Sequence, residues 1–470
     1  MKKVELKPVW KEISVDSETP VSAFLKLKRI GAKFLLESVE KGERLGRYSF
    51  IGMKPFRTLK IQNNHLIVDD EKIHFTPDKL IQKLREIIFE FKTLSEPDLP
   101  PFVGGWVGYI SYDVIKFFES LSSHKKYAES FPKVILYLVR DILVFDHIKH
   151  RAKVITLKTQ EETDFEAFNR INHIIKNLNI SLSIKIDEIK AKEIPPLSFD
   201  RIGFKKAVEI AKEYIRAGDI FQVVLSERII GKTPAHPFHI YRALRGINPS
   251  PYMFYLDFDD FQLIGSSPET LVKLNDGTAY VHPIAGTRPR GKNIDEEKEL
   301  EKELFASEKE IAEHVMLVDL ARNDLGKVCL PCSIKVNEKM HLEKYSHVMH
   351  IVSQVTGKLA PQYDALDLFK ATFPAGTVTG APKIRAMEII EELEKVKRGP
   401  YAGAVGYFAL NGNMDMCIAI RMIIYRKRTY YIQAGAGIVA DSDPEKEYRE
   451  ILNKMQGVYQ AIKYAEEVGK

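Results

Sequence analysis

Two pairs of glutamates have the residue type and spacing to bind a metal ion. Glu310 and Glu313 lie three residues apart in a segment that predicts a helix, so both carboxylates project from one face. Glu447 and Glu450 repeat that spacing in the last predicted helix. If the two helices face each other, the four carboxylates form a hard, oxygen-rich site of the kind that Mg²⁺ occupies with several water molecules. Such a pair is also common on a solvated helix face, but the apolar residues 315–318 favour an interior position for the first pair.

Other segments combine flexible backbone with positive charge, as an anion-binding site requires. In the segment 283–291, Gly286 and Thr287 can offer backbone donors, and two arginines follow them. Arg421 lies among apolar, β-branched residues that predict a strand, where a guanidinium is costly to bury unless it meets an anion. That anion is either a structural carboxylate or the carboxylate of a ligand.

Two further residues each have two interpretations. His350 lies in an apolar, strand-like segment and is either a core residue or a general acid–base group. Tyr401 follows a Gly-Pro pair and is either a turn aromatic or a ligand contact.

The stretch 435–440 has the pattern GxGxxA, but these residues predict continued strand, whereas a dinucleotide site needs a helix that begins within the turn. We therefore discount a nicotinamide or flavin site.

The elements that must position these residues have recognisable local signals. Helices are predicted over Thr163–Asn179, Phe204–Ala217, Lys298–Asp324, Ala381–Glu394 and Pro444–Val468. Strands are predicted over Val134–Phe145, Asp219–Arg228, Phe261–Ser266, Tyr401–Leu410, Asp415–Tyr425 and Thr429–Gly435. Because the strands come in runs rather than in βαβ alternation, an α+β fold with layered sheets is favoured. The Pro-Pro pair at 195–196 marks a plausible boundary.

Bulk properties restrict the class of protein. A chain of 470 residues is long enough for two lobes. The 70 basic and 64 acidic residues leave a net charge of +6, which suits an anionic small molecule and does not require nucleic acid. No run of about 18 apolar residues predicts a membrane span. Three cysteines agree with a reducing compartment, so we expect a cytoplasmic protein.

Six ordered segments resemble the chorismate-utilising enzyme family. They are residues 219–226, 283–291, 317–325, 349–355, 376–385 and 433–439. The match covers residues 204–465, with a weaker match over residues 22–145. The resemblance implies an α+β fold of layered, antiparallel-rich sheets with flanking helices, in two intertwined lobes. Residues 1–190 would form an N-terminal regulatory lobe and residues 198–470 the chorismate-binding catalytic domain.

The resemblance also implies the reaction. Family members that form isochorismate or salicylate place a lysine where Gln222 stands, so Gln222 points to ammonia rather than water as the nucleophile. Aminodeoxychorismate synthases commonly have a lysine nucleophile where this chain has Ala285. We therefore expect the reaction of an anthranilate synthase large subunit, in which ammonia adds at C2 of chorismate and pyruvate is eliminated. The alternatives are aminodeoxychorismate synthesis and a catalytically silent, tryptophan-sensing paralogue.

The family pattern implies a role for each candidate residue. Mg²⁺ would be held by Glu310, Glu313, Glu447 and Glu450. The ring carboxylate of chorismate would be bound by Gly286, Thr287 and Lys454. The enolpyruvyl carboxylate would be bound by Tyr401, Arg421 and the backbone of Gly435, Ala436 and Gly437. His350 would act as general acid–base, and Thr377 would be positioned near the leaving hydroxyl or His350.

Two partners are implied as well. No segment resembles a glutaminase domain, and none of the cysteines lies in a Gly-x-Cys-x-Gly turn. A separate glutamine amidotransferase subunit would therefore supply ammonia in a hetero-oligomer. L-Tryptophan, the end product, would inhibit from a pocket formed by Glu37, Ser38, Pro251, Tyr252 and Met253.

Overall fold

The computed structural model describes residues 3–38, 46–62, 65–121, 131–182, 197–344 and 348–468. The boundary predicted at residues 195–196 lies outside these ranges. Within them, no helix is both long and apolar enough to cross a membrane.

The described residues form ten α-helices and four short 3₁₀ helices. The α-helices are α1 (Pro20–Leu27), α2 (Leu80–Ile88), α3 (Asp164–Leu178), α4 (Arg201–Arg216), α5 (Pro237–Ile247), α6 (Ile294–Ala306), α7 (Glu308–Gly326), α8 (Ala365–Thr372), α9 (Lys383–Leu393) and α10 (Pro444–Val468). The 3₁₀ helices are Lys28–Ile30, Pro77–Lys79, Tyr112–Phe117 and Gly376–Val378.

The same residues contain twenty-five strands. In the first half of the chain these are β1 (Val4–Glu5), β2 (Lys7–Ser14), β3 (Phe34–Glu37), β4 (Tyr48–Gly52), β5 (Arg57–Gln62), β6 (His65–Val68), β7 (Glu71–Ile73), β8 (Phe91–Lys92), β9 (Gly105–Ile110), β10 (Val134–Val139), β11 (Asp141–Asp146), β12 (Arg151–Lys158) and β13 (Gln222–Lys232). In the second half they are β14 (Tyr252–Asp257), β15 (Gln262–Ser267), β16 (Thr270–Asn275), β17 (Thr278–Val281), β18 (Ile284–Pro289), β19 (Lys335–Lys344), β20 (Val348–Lys358), β21 (Gly380–Ala381), β22 (Ala404–Ala409), β23 (Met414–Ile418), β24 (Met422–Arg426) and β25 (Thr429–Ile438).

Two large antiparallel sheets contain strands from both halves of the chain. One has the order β18-β20-β17-β16-β23-β22-β9-β10-β5-β6-β7, with β19 paired to β20. The other has the order β2-β12-β11-β4-β3-β14-β15-β24-β25-β13-β21. N-terminal and C-terminal strands meet at β9–β22 in the first sheet and at β3–β14 in the second. The lobes are therefore intertwined, which confirms the predicted α+β, antiparallel-rich architecture.

Alternating side chains of the second sheet divide between two hydrophobic cores. Phe34 and Phe254 point into the core between the two sheets, whereas their neighbours Leu35 and Tyr255 point into a core covered by helices. Successive side chains of a strand face opposite sides, so each strand of this middle layer can be apolar on both faces. The result is a layered structure of sheet, sheet and helices.

Several predicted elements are confirmed and three are wrong in one respect. The bounds of α10 agree with the prediction, and Thr163 caps α3 through a capping box with Glu166. The predicted strands 134–145 and 415–425 are each two strands in different sheets. The predicted helix 298–324 is divided at Ser307, which caps the second helix. A continuous apolar run does not show where the chain crosses from one layer to the next.

Candidate active site

Helix α7 places the first glutamate pair in the polar region between α7, α10, β13 and β25, which is called the pocket. The Ser307 hydroxyl accepts a hydrogen bond from the backbone N–H of Glu310 at 3.4 Å, which fixes that residue in the first turn. One turn later, Glu313 Oε1 accepts a hydrogen bond from Gln222 Nε2 at 3.4 Å. Burial raises the pKa of Glu313, and the negative charges of Glu310 and Glu450 raise it further.

Helix α10 brings the second glutamate pair to the same place. Burial raises the pKa of Glu447, and the neighbouring Glu450 adds to that shift. The negative charge of Glu450 helps to raise the pKa of both Glu447 and Glu313, so α10 and α7 border the same region. Lys454 Nζ lies 2.6 Å from Glu450 Oε1 and donates to the carbonyl of Gly435 at 2.9 Å.

The four glutamates border one region without converging on one point. Among the residues that the structure describes, no group of three or more His, Cys, Asp and Glu side chains is arranged to hold a metal ion. Burial raises the pKa values of Glu313 and Glu447, and neighbouring glutamates raise them further, although nearby lysines oppose the shift. Such a set of carboxylates has the chemistry that a hard divalent cation prefers. The Mg²⁺ site therefore stays a prediction that this electrostatic environment fits.

A β-bulge joins Gly286 to His350. Ala285 pairs with Ile351 and Arg288 with Met349, so two residues of β18 stand opposite His350 in β20. Gly286 has a φ of 68°, and a Cβ atom there would lie 2.8 Å from Leu304 Cδ1. The left-handed backbone favours glycine here, and any side chain would also require Leu304 to shift. The side chain of Thr287, the second bulged residue, is outside the described structure.

The bulge also determines which nitrogen of the His350 ring carries the proton. Nδ1 lies 2.8 Å from the carbonyl oxygen of Gly286. A carbonyl only accepts hydrogen bonds, so Nδ1 carries the proton and Nε2 is the basic nitrogen of the neutral ring. Burial lowers the pKa of His350, and the positive charge of Arg421 lowers it further. A neutral imidazole at physiological pH can act as a general base.

Two glycines of β25 leave room beside polar side chains. Ala434, Ala436 and Ile438 point into the helix-covered core, so Gly435 and Gly437 face the pocket. A Cβ atom at Gly435 would lie 3.1 Å from the hydroxyl of Tyr401, and one at Gly437 would lie 2.5 Å from Gln222 Nε2. The predicted contribution of Ala436 can therefore come only from its backbone. Burial raises the pKa of Tyr401 well above its usual range, so its hydroxyl remains a neutral donor.

Arg421 is not in the interior of a strand, contrary to the prediction. It connects β23 to β24 with a φ of 52°, because the chain passes from one sheet to the other at this point. Its Nη1 donates to the carbonyl of Lys454 at 2.8 Å, and burial lowers its pKa. Within the described ranges no carboxylate lies within 4.0 Å of this guanidinium. That arrangement favours a ligand carboxylate over a structural ion pair.

Glu269 is a candidate functional residue that the sequence analysis missed. It lies between β15 and β16 and, with Thr377 and His282, lines a cavity of about 50 Å³. Burial raises the pKa of Glu269 to about 7, although the hydroxyl of Thr377 and the charge of Lys454 oppose that shift. The available signal was a single glutamate after Ser-Ser-Pro between two apolar strands. A turn is the ordinary interpretation of that pattern.

We expect Glu269→Gln to stabilise the protein at pH 8 and to have little effect at pH 4. Between pH 4.5 and about 7 the unfolded chain ionises Glu269 while the folded chain keeps it protonated. Raising the pH through this window favours unfolding by ~1.4 kcal/mol per unit, or about 3 kcal/mol in total. Urea unfolding at both pH values measures the difference. The exposed Glu303→Gln is the control, and an equal effect of the two variants would contradict the buried state of Glu269.

The residues predicted to bind tryptophan lie at the junction of β3 and β14. Glu37 pairs with Met253 across the two strands, with Ser38 and Pro251 adjacent in the chain. The buried carboxylate of Glu37 accepts hydrogen bonds from Tyr241 Oη and, at 3.2 Å, from Arg245 Nε. The Tyr252 hydroxyl instead lies 3.0 Å from Asp415 in the other sheet. Tyr252 can therefore contribute only its backbone to this pocket.

Comparison with known proteins agrees with the architecture. A family model described as chorismate binding enzyme matches residues 31–460. The chain is 47% identical over 471 residues to anthranilate synthase component 1 of Aquifex aeolicus, covering 98% of this chain and 95% of that protein. It is 45% identical over 477 residues to the protein of the same name from Acetivibrio thermocellus, with coverage of 98% and 96%.

A solved structure leads to the same family. The crystal structure of anthranilate synthase component I from Streptococcus pneumoniae has a TM-score of 0.81 to this chain at 37% sequence identity. The superposition covers 95% of this chain and 99% of that one. Because the family model and these relatives span nearly the whole sequence, the chain belongs to the chorismate binding enzyme family.

Proposed function

We propose that the chain is the chorismate-using component of an anthranilate synthase, a lyase of tryptophan biosynthesis. Gln222 is the observation that carries the proposal. Its amide is buried, lies 3.4 Å from Glu313 and stands against Gly437 in the wall of the pocket. A primary amide cannot take a proton from water at neutral pH, whereas ammonia already has the lone pair that attacks. The relatives at 45–47% identity carry the matching name.

The reaction requires two carboxylates of chorismate to be bound. Lys454 and the bulge at Gly286 would bind the ring carboxylate, since both lie beside the glutamate pairs. Arg421 and the Tyr401 hydroxyl would bind the enolpyruvyl carboxylate in the space beside Gly435. Arg421 has no carboxylate partner within the described ranges and supplies a positive charge for that anion. The neutral Tyr401 hydroxyl supplies a hydrogen-bond donor.

Proton transfers then fall to Glu269 and His350. Ammonia forms a bond to C2 as the C4 hydroxyl leaves, and protonated Glu269, beside Thr377, would donate the proton that makes the leaving group water. The new ammonium loses a proton to solvent. His350 Nε2 would take the proton from C2 while the enolpyruvyl C–O bond breaks, and protonation of the released enol gives pyruvate. The proton lost to solvent is balanced by reprotonation of Glu269, so chorismate and neutral ammonia give anthranilate, pyruvate and water.

Mg²⁺ would be held by Glu310, Glu313, Glu447 and Glu450. When bound, it would neutralise the ring carboxylate and polarise the ring toward nucleophilic attack. The support for this assignment is that Glu313 and Glu447 are partly buried and that the charges of neighbouring glutamates on α7 and α10 act on them.

The ammonia would come from a separate glutamine amidotransferase subunit. The name component 1 of the relatives implies a second component. The cysteines 329, 332 and 417 are unpaired, which supports work in the reducing cytoplasm.

A direct assay tests the proposal. The purified chain is incubated with chorismate, Mg²⁺ and an ammonium salt, and the product is followed by fluorescence and identified by chromatography. Anthranilate and pyruvate in equal amounts are expected, without a partner subunit. Aminodeoxychorismate would support the alternative amination at C4, and absence of turnover would favour a silent, tryptophan-sensing paralogue.

Tryptophan inhibition gives a second test of the proposal. Ser38→Phe places a bulky ring at the end of β3, beside the Glu37–Met253 junction, and should weaken tryptophan inhibition strongly while chorismate kinetics change little. Coupling between two such sites is typically worth about 1–3 kcal/mol and acts in both directions. Calorimetry with tryptophan, with the exposed Ser120→Phe as control, measures the binding. Unchanged tryptophan binding to Ser38→Phe, or none to the parent chain, would contradict the pocket.

A further inference from the structure

Arg398 is a fully buried guanidinium with three different hydrogen-bond partners. Its side chain is 1% exposed. Nε lies 3.0 Å from Glu394 Oε2, and Nη2 lies 2.6 Å from Glu394 Oε1. Nη1 donates to the carbonyl of Val378 at 2.6 Å, and Nη2 donates to the carbonyl of Val224 at 2.8 Å. One side chain thus connects α9 to two backbone segments that are distant in sequence.

Each of these segments carries a residue that faces the pocket. Val378 follows Thr377, which lies beside Glu269. Val224 is two residues from Gln222 on β13. The guanidinium carbon also lies 5.8 Å from the ring centre of Tyr401. The geometry therefore makes one guanidinium the common support of Thr377, Gln222 and Tyr401.

The carboxylate partner extends the support to β25. Glu394 Oε1 accepts hydrogen bonds from the backbone N–H of Ser226 at 2.9 Å and from its hydroxyl at 2.7 Å. The same hydroxyl accepts a hydrogen bond from Gln433 Nε2 at 2.9 Å. Gln433 lies two residues before Gly435, so the network reaches the glycine wall of the pocket.

The N-terminal part of the chain holds the turn that follows Arg398. The Ser111 hydroxyl donates to the carbonyl of Gly399 at 2.8 Å, and the backbone N–H of Gly399 donates to Asp113 Oδ2 at 3.0 Å. The ring centre of Tyr112 lies 4.7 Å from the guanidinium carbon. Residues 111–113 therefore clamp the turn between Arg398 and Tyr401.

We propose that Arg398 is a positioning residue that aligns Thr377, Gln222 and Tyr401 around the substrate. A buried ion pair contributes little net stability compared with a well-packed apolar pair, whereas its hydrogen bonds are directional. The bonds to the Val378 and Val224 carbonyls serve that alignment. Lysine retains the charge, but it cannot span a carboxylate and two carbonyls at once. The catalytic consequence rests on the proposed function, whereas the alignment does not.

Two variants test this inference. Arg398→Lys keeps the charge opposite Glu394. The double variant Arg398→Met with Glu394→Gln removes both charges and therefore leaves no unpaired charge buried. It serves as the test if the lysine variant fails to fold. The matched control is Arg170→Lys, since Arg170 binds Glu162, Asp141 and the carbonyl of Leu157, all outside the pocket.

Hydrogen exchange and kinetics are measured on each full-length variant. Amides of residues 222–224 and 376–380 should exchange faster in the Arg398 variants than in the parent or in Arg170→Lys. The kcat/KM for chorismate should fall about 100-fold, the effect expected when reacting groups shift by about 1 Å. Arg170→Lys should lower thermal stability without lowering kcat/KM.

Two results would overturn the inference. One is unchanged exchange in both segments, and the other is a folded Arg398 variant whose kcat/KM stays within threefold of the parent. If the parent chain itself does not turn over chorismate, the proposed function fails while the exchange data still decide whether Arg398 aligns the segments.

Discussion

Glu313→Gln is expected to lower the rate of anthranilate formation by about 10³-fold or more while the chain remains folded. A Lewis acid supplies several kcal/mol of charge stabilisation, and each ~1.4 kcal/mol is a factor of ten in rate. Glu313 is half-buried, and the negative charges of Glu310 and Glu450 disfavour its ionised form. Neutralising it removes a proposed Mg²⁺ ligand and also relieves repulsion between carboxylates.

The same variant has a signature that does not depend on turnover. A ligand that binds only the folded state raises its stability, so Mg²⁺ should raise the melting temperature of the parent and have little effect on Glu313→Gln. Without Mg²⁺ the variant should be at least as stable as the parent. The control is Glu308→Gln, an exposed glutamate on the same helix. Near-parental, Mg²⁺-dependent turnover of Glu313→Gln would remove Glu313 from the proposed site.

His350→Met is expected to lower kcat by about 10²–10⁴-fold, the usual contribution of a general acid–base group. The bulge at Gly286 holds Nδ1 protonated, so Nε2 is the group that takes a proton. Because the loss affects the transition state rather than the bound substrate, the KM for chorismate should change much less than kcat. Steady-state kinetics across pH 5–9 measure both.

A neighbouring histidine provides the matched comparison. His341 lies on β19, within hydrogen-bonding distance of Glu343 at 3.1 Å, and plays no part in the proposed mechanism. His341→Met should leave kcat close to that of the parent. If His350→Met retains both the rate and the pH profile of the parent, His350 is a core histidine, the alternative interpretation of its position in an apolar strand.

Much of the site could be predicted from residue types and their spacing. The members of each glutamate pair share a helix face because they lie three residues apart, and the charge of Glu450 on α10 acts on Glu313 of α7. Glu37 lies beside Met253, as the family resemblance implied, whereas the contact between His350 and the Gly286 turn was not predicted. Their roles in metal, substrate and tryptophan binding stay predictions.

The sequence by itself therefore determined the secondary structure that depends on near neighbours in the chain, together with the fold class. Helix caps, helix faces and apolar strands depend on neighbours within a few residues, so α3, α10 and the α+β class were accessible without coordinates. The family resemblance added which of these elements carry the chemistry.

Only the tertiary structure decided which polar groups are buried and what they contact. Glu269, Arg398 and Arg421 lie between elements that belong to different layers, and their partners are distant in sequence. Burial raises the pKa of Glu269 to about 7. Burial of Arg398 strengthens its hydrogen bonds to carbonyls that are distant in sequence, because the interior has a low dielectric constant. A local sequence pattern does not predict which polar groups lose contact with water. That desolvation arises only when strands from both halves of the chain pair across β9–β22 and β3–β14.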